Sequence, residues 1–314
     1  MFNLNSKIIL CGGAGLVGQN LVHILINNGY SNITVIDKNK SNLSILKNLH
    51  PKIVDINADL SKEGEWEISF KGANIVVMLQ AQIGGKDYAD FQANSLNSTR
   101  NILENYKKYK LERLIHISSS VVNSLAEDFY SQTKKQQELL VHDSGISCPI
   151  LRPTLMFGWF DRKHLGWLSR FMTKVPIFPI PGKGKYIRQP LYVQDFCNII
   201  ISCMKNINLN ETYDISGLEK IYYIDIISHI KKAIQSNTII VKIPYKLFYW
   251  LIKVWSIFDK EPPFTTQQLE ALVTKEEFEI IDWPQIFGVQ NTPYDEAISK
   301  TFCDTTYSNI KLDF

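Results

Sequence analysis

The sequence predicts an α/β protein: a doubly wound parallel sheet with helices on both faces, beside a smaller mixed unit built from the second half of the chain. Three observations carry this. Up to Pro153, short apolar runs alternate with stretches of helical periodicity. Three glycines, Gly12, Gly15 and Gly18, stand between the first run and the first helical stretch. Beyond Pro153 the alternation gives way to the proline- and glycine-rich segment VPIFPIPGKGKYIRQP and to shorter elements. Parallel strands need crossover connections, and crossover helices cover both sheet faces.

The elements follow in order. KIILCG is an apolar run ending in glycines, and LVGQNLVHILINN has helical periodicity. NITVID is the second strand; Ser41 can cap a helix reaching about Leu49. KIVDIN, with its end near Asp59, and ANIVVML are strands three and four. Asp87 to Tyr109 reads as one long helix, RLIHIS as strand five, Asp128 to His142 as a helix, and SCPILRP as the strand that closes the pattern. Residues 1–153 are therefore expected to form a nucleotide-binding domain, and residues 154–314 a mainly substrate-binding part with room for segments that return to the sheet.

Composition removes several functions. A chain of 314 residues with 45% hydrophobic and 21% charged residues can bury a large core. A net charge of +3 without a dense basic block argues against nucleic acid as partner. Five scattered cysteines lack metal-ligand spacing, so no metal is expected, and they read as reduced thiols in a cytoplasmic setting. Lys7 is followed by a few apolar residues and then glycines, which is not the pattern of a signal peptide. The apolar stretch PYKLFYWLIKVWSIF, from Pro244, is interrupted by Lys246 and Lys253 and is too short to cross a bilayer. It reads as a buried or dimer-packing helix, with weak membrane-surface contact as the other reading.

The glycine triplet sits in a strand–turn–helix context, which is what gives it meaning. Glycine permits the tight turn, lets backbone approach a pyrophosphate and packs the helix on the strand, while the helix N-terminus offers amides to phosphate. This is a Rossmann-type turn. Asp37 ends strand two, 19 residues after Gly18, where a carboxylate can bind both ribose hydroxyls and repel a 2′-phosphate. NAD is thus expected over NADP, with Lys38 alongside working against the preference. Asp59, after strand three, is placed for adenine.

A tyrosine four residues before a lysine forms a same-face helical pair suited to acid–base work. The chain has four such pairs: Tyr106/Lys110, Tyr130/Lys134, Tyr249/Lys253 and Tyr307/Lys311. Only Tyr130/Lys134 follows a hydroxyl-rich strand end, Ser118 to Ser120, on the side of the sheet where ligands bind. Tyr106 lies near the far end of its helix, Tyr249 in an aromatic helix and Tyr307 in the tail.

Together, the glycines, Asp37, the serine run and Tyr130-x-x-x-Lys134 resemble the extended short-chain dehydrogenases/reductases, specifically the nucleotide-sugar epimerase/dehydratase group. QANSLNSTRNILE, LRPTLMFG, RQPLYVQDF and DWPQIFGVQNTPYDEAISKTF are similar to further segments of that family. The resemblance implies cofactor contacts at Gly12, Gly15, Leu16, Val17, Gly18, Asp37, Lys38, Asp59, Leu60, Leu79, Gln80, Ala81, Asn94 and Ser118, with Tyr130 and Lys134. It implies substrate contacts at Gln82, Ser120, Lys183 and Arg188, the last facing a diphosphate. Tyr130 would exchange a proton while hydride moves, with Ser119 or Ser120 bonding the reacting oxygen and Lys134 bonding the nicotinamide ribose. Bringing a phenol from about 10 to near 7 takes roughly 4 kcal/mol, which the Lys134 ammonium and the cofactor ring would supply.

The chain also departs from the family pattern. Val121 and Val122 stand where dehydratases carry an Asp–Glu pair, which disfavours dehydration. The interval from Ser120 to Tyr130 is short, Gln82 replaces a small residue, and Leu155 and Met156 stand where an asparagine is common. The expected function is therefore an NAD-dependent 4-epimerase, 4-dehydrogenase or 4-keto reductase acting on a nucleotide sugar. The other reading is a non-catalytic NAD(P)-binding subunit resembling the respiratory complex I accessory subunit. The helices around Asp87–Tyr109 and Tyr130 would pair between copies as a homodimer.

Overall fold

The computed structural model describes residues 2–124, 128–258, 266–273 and 278–313. The first half runs β1 (Ile8–Cys11), α1 (Leu16–Asn27), β2 (Ile33–Asp37), α2 (Lys40–Leu49), β3 (Val54–Asn57), β4 (Ile75–Met78), α3 (Tyr88–Phe91), a π-helical turn (Gln92–Asn97), α4 (Ser98–Lys108), β5 (Arg113–Ile117), α5 (Phe129–Asp143) and β6 (Ile150–Pro153). The second half runs β7 (Met156–Phe157), α6 (Leu165–Met172), β8 (Ile177–Pro181), β9 (Ile187–Arg188), β10 (Leu191–Tyr192), α7 (Val193–Lys205), β11 (Thr212–Ile215), β12 (Ile221–Tyr222), α8 (Tyr223–Ala233), β13 (Ile239–Ile243), α9 (Tyr245–Phe258), α10 (Thr266–Val273), α11 (Trp283–Phe287) and α12 (Tyr294–Phe302).

Seven parallel strands form the main sheet in the order β11-β6-β5-β4-β1-β2-β3. Successive residues of each central strand feed opposite faces. Ile8, Leu10, Val35, Val77 and Ile115 enter a core shared with α1, α2 and α7. Ile9, Cys11, Ile36, Met78 and Leu114 enter the opposite core, under α4 and α5. The order reverses between β1 and β4, so the crevice at their carboxyl ends is the natural ligand site. A third core joins β8, α6, α8 and α12. β11, from the second half, completes the sheet beside β6.

Two expectations change in detail. Asn39, not Ser41, caps α2, accepting the Asn42 amide at 2.9 Å. The long helix runs without a gap from Tyr88 to Lys108 but carries a π turn, where side chains compete for its carbonyls: Ser98 Oγ donates to Asn94 O at 2.6 Å, Thr99 Oγ1 to Ser95 O at 2.7 Å, and Gln137 Nε2 to Ser95 O at 3.1 Å. On the two helices expected to pair between copies, Leu96, Ile102, Leu103 and Val141 are buried within the chain. Phe129 and Leu139 are the large apolar residues that α5 exposes.

His116 in β5 is fully buried, and burial with the nearby Lys134 charge holds its imidazole well below the usual value. It stays neutral where an unfolded histidine, titrating near 6.5, takes up a proton. Its contribution is complete above about pH 6.5 and falls by about 1.4 kcal/mol for each pH unit below that. Urea unfolding at pH 7.5 and 5.5 is expected to show this acid loss in the native protein and a shallower pH slope in His116→Leu. Equal slopes in the two proteins would refute it.

Candidate active site

The glycine turn leaves no room for side chains at two of its three positions. A Cβ on Gly12, which has φ +73°, would lie 2.5 Å from Gln80 Cα, and one on Gly18 would lie 2.1 Å from Gly13 O. Gly15 differs: the nearest atom to its added Cβ is Gly12 O at 4.0 Å, so that side of the turn is open. No side chain caps α1 and no carboxylate sits in its first turn, which leaves the amides of Leu16, Val17 and Gly18 facing the crevice end for an anion. Asp37 stands at the end of β2. Its Oδ2 accepts the Ala14 amide at 3.0 Å and its Oδ1 the Asn39 amide at 2.9 Å. Burial raises its pKa and these bonds oppose the rise. The turn, the uncapped helix and the fixed carboxylate fit a dinucleotide. Lys38 is exposed beside Asp37.

Tyr130 opens α5 through a cap. Asp128 accepts the amides of Tyr130 at 3.0 Å and Ser131 at 3.1 Å, and its other oxygen accepts Ser131 Oγ at 2.8 Å. The partly buried phenol lies near the Ser119 side chain. Ser119 also caps the short turn Ser120–Asn123. The structure therefore brings Ser119, rather than Ser120, against Tyr130. Burial raises the phenol above its ordinary value, against the pull of the nearby Ser119 hydroxyl and with the Asp128 charge adding to the rise. The expected depression by Lys134 is not seen. The Lys134 ammonium points inward, donating to Ile117 O at 3.0 Å, and burial brings it down to about 8 against the pull of Glu138. The short stretch between Ser120 and Tyr130 passes through residues 125–127, which lie outside the described residues.

The remaining expected site residues are placed as follows. Ser118 is buried and its hydroxyl donates to Glu138, away from the crevice. Asp59 is held by its own turn, its Oδ1 accepting Ser61 N at 3.0 Å and Ser61 Oγ at 2.7 Å. Burial would raise its carboxyl, but these bonds and Lys62 and Lys38 leave it below the ordinary value. Leu60 is core, with its carbonyl accepting Asn101 Nδ2 at 2.9 Å. Leu79, Gln80 and Ala81 follow β4; Gln80 Nε2 donates to Thr99 Oγ1 at 3.3 Å. Gln82 and Asn94 bond each other at 2.8 Å, and the Gln82 amide closes back on Gly84 O. Arg188 donates to the carbonyls of Ile187 and Leu272, and Lys183 is exposed on the loop after β8.

Two groups were not anticipated. Beneath Tyr130, Glu138 accepts Arg152 Nε at 2.9 Å and Nη2 at 2.6 Å, as well as Ser118 Oγ. Arg152 also donates to Asn123 Oδ1 at 3.3 Å and lies 3.7 Å from Asp214, itself bonded to Asn123. The Glu138 bond holds the Arg152 guanidinium firmly charged. The second group is a strap. Asn20 Nδ2 on α1 holds Trp159 O at 3.0 Å, and Lys163 Nζ reaches Ile83 O, after β4, at 3.2 Å. Residues 159–163 thus cross from one side of the β1/β4 crevice to the other. Burial and the neighbouring Arg162 bring Lys163 down to about 8.

A model of the NAD dependent epimerase/dehydratase family matches residues 8–216. A UDP-glucose 4-epimerase of Vibrio cholerae is 24% identical over 302 residues, 86% of this chain and 89% of the relative. Subunit 9 of the mitochondrial NADH dehydrogenase (ubiquinone) 1 alpha subcomplex of Rattus norvegicus is 25% identical over 231 residues, covering 71% of this chain and 59% of the relative. Among solved structures, a UDP-glucuronic acid 4-epimerase of Bacillus cereus in complex with NAD aligns with a TM-score of 0.65 at 24% identity, over 76% of this chain and 88% of its own. That last likeness shows the shared fold.

The network under Tyr130 has a measurable strength. Glu138 and Arg152 expose 13% and 21% of their side chains, so removing the carboxylate leaves a largely buried guanidinium without its main partner. Glu138→Gln is expected to cost about 2 kcal/mol in urea unfolding, below the full value for a wholly buried pair. A loss under about 0.5 kcal/mol, the scale of an ordinary surface change, would show that the network does not hold the helix.

Proposed function

This chain belongs to the NAD-dependent epimerase/dehydratase family, and from that premise we propose that it binds NAD at the glycine turn and acts on a nucleotide-linked sugar by Tyr130-assisted hydride transfer. The reaction is a 4-epimerisation, a 4-dehydrogenation or a 4-keto reduction. The observation that carries the reading is the Ser119–Tyr130 pair at the carboxyl end of a central strand, with a buried lysine one turn behind. The likeness to the Vibrio UDP-glucose 4-epimerase supports chemistry at that carbon.

The amides of the first turn of α1 would hold the pyrophosphate and Asp37 the adenosine ribose. Bound NAD would accept hydride in its oxidised form, which also carries a positive charge, and would donate it in its reduced form. The remaining work falls to the chain. Tyr130 holds the proton at the sugar oxygen that becomes a carbonyl, and Ser119 bonds that oxygen and fixes the phenol. Burial keeps the resting phenol protonated, so it is ready as an acid; acting as a base at neutral pH needs about 4 kcal/mol or more of help. An ammonium has three donors. Lys134 places one on Ile117 O, which leaves others for the cofactor ribose. Dehydration is disfavoured because Val121 and Val122 put no acid or base in the turn after Ser120.

A second reading is a cofactor-binding subunit without turnover. The likeness to the mitochondrial subunit and the raised phenol of Tyr130 favour it. Turnover separates the two: a nucleotide-sugar panel with bound NAD should give product under the first reading and none under the second.

If Asp37 grips the ribose, NADH is expected to bind at least about tenfold tighter than NADPH, a gap of about 1.4 kcal/mol. Asp37→Ala should narrow that gap, and equal native affinities would remove the role.

Tyr130→Phe should keep NADH binding while turnover falls by roughly 10²–10⁴, the usual size of a general acid–base contribution. Lys134→Ala should slow turnover and also weaken NADH. Tyr106→Phe, Tyr249→Phe and Tyr307→Phe are controls expected near the native rate. Full activity in Tyr130→Phe with loss in a control would move the site elsewhere.

A further inference from the structure

Helix α9 packs one apolar face against α10 and exposes a second. Phe248 and Ile252 are buried against Leu269 of α10, with Tyr245, Tyr249 and Val273 beside them. On the opposite face Leu247, Trp250, Leu251, Val254 and Trp255 are each between 47% and 60% exposed. At 3.6 residues per turn these five fall within one arc of about 140°. Scattered exposed apolar residues are ordinary, but a continuous stripe with two indoles marks an interaction surface. β13, which leads into α9, also exposes Ile239 and Val241.

Charge decides what fits the stripe. Lys246 and Lys253 are seven residues apart and so lie on one flank, next to Trp250; Lys253 Nζ is 5.4 Å from the Trp250 ring centre. The α9 sequence contains no aspartate or glutamate. Glu270 of α10 lines the same groove as Tyr245, Lys246, Tyr249 and Trp250 and is exposed. A second copy of the chain would set two lysines of α9 against this single described carboxylate of the groove. An anionic lipid surface meets both features: acyl chains and the headgroup boundary take the indoles and aliphatic side chains, and lipid phosphates take the flanking lysines. Among the described residues no helix is long and apolar enough to cross a membrane. With 14 residues, α9 is about 21 Å long, which suits lying along the surface.

We propose that the outer face of α9 is a docking site for anionic membrane surfaces, along which the helix lies with Trp250 and Trp255 in the headgroup region. The proposal is independent of the reaction at Tyr130. It is tested with the full chain and vesicles of phosphatidylcholine, with and without about one-third phosphatidylglycerol. Sedimentation with the anionic vesicles and a blue shift of tryptophan emission are expected. Partitioning should fall more than about tenfold in Trp250→Ser/Trp255→Ser. It should fall about fivefold for each of Lys246→Gln and Lys253→Gln, with weaker binding at high salt. NADH binding in each variant reports that the fold is intact. Three results overturn the proposal: no binding to either vesicle, binding unchanged in the tryptophan variant, or a native dimer in light scattering that the tryptophan variant disperses, which would give the face to a second copy.

Discussion

Close approach at the glycine turn is the constraint on which the rest depends. Gly12 meets the backbone of Gln80 and Gly18 meets that of Gly13 at distances a side chain cannot share. The end of β4 is thereby drawn against the turn, and α1 is seated low on the sheet. Asp37 fixes the third side through the Ala14 amide. With these distances set, the β4 loop starts at a fixed point, the π turn packs behind it, and the strap at residues 159–163 has two near walls to join.

The second half of the site rests on buried charge. Lys134, Glu138 and Arg152 come from α5 and β6, and Ser118 from β5, so one network ties the strand that carries Ser119 to the helix that carries Tyr130. Such a network adds less stability than its short bonds suggest, because the charges give up water. Its effect is geometric. Each member has one arrangement that satisfies the others, and the phenol is held by a helix that cannot slide along the strand without breaking several of them.

The sheet, the glycine turn and the carboxylate that closes β2 beside it were legible because each depends on local pattern and on chain order. The π turn was not, because it arises from Ser98, Thr99 and Gln137 competing for carbonyls, and Gln137 lies 42 residues from Ser95. Lys134-x-x-x-Glu138 was visible as helical spacing, but its partner Arg152 is reached only once β5 and β6 are side by side. Lys163 carried no local sign, since its contact depends on how a loop crosses the crevice. The direction of the Tyr130 shift was missed for a related reason. Spacing puts lysine and tyrosine on one helix face, but the lysine's long chain chose the Ile117 carbonyl.

The seam between β6 and β11 sets how this molecule can be recombined. β11 supplies an edge strand of the cofactor sheet, α7 packs into the α1 core, and the tail returns to α2, where Asn42 and Asp313 exchange two hydrogen bonds of 3.1 and 2.8 Å. Tyr307 stacks on Trp159 beside His23 of α1. The second half is thus woven into the first. A graft that imports a new second half also replaces part of the cofactor platform, so altered ligand choice beside the crevice is more readily installed by exchanging the loops and short strands between β6 and α7, where the chain leaves the sheet and comes back.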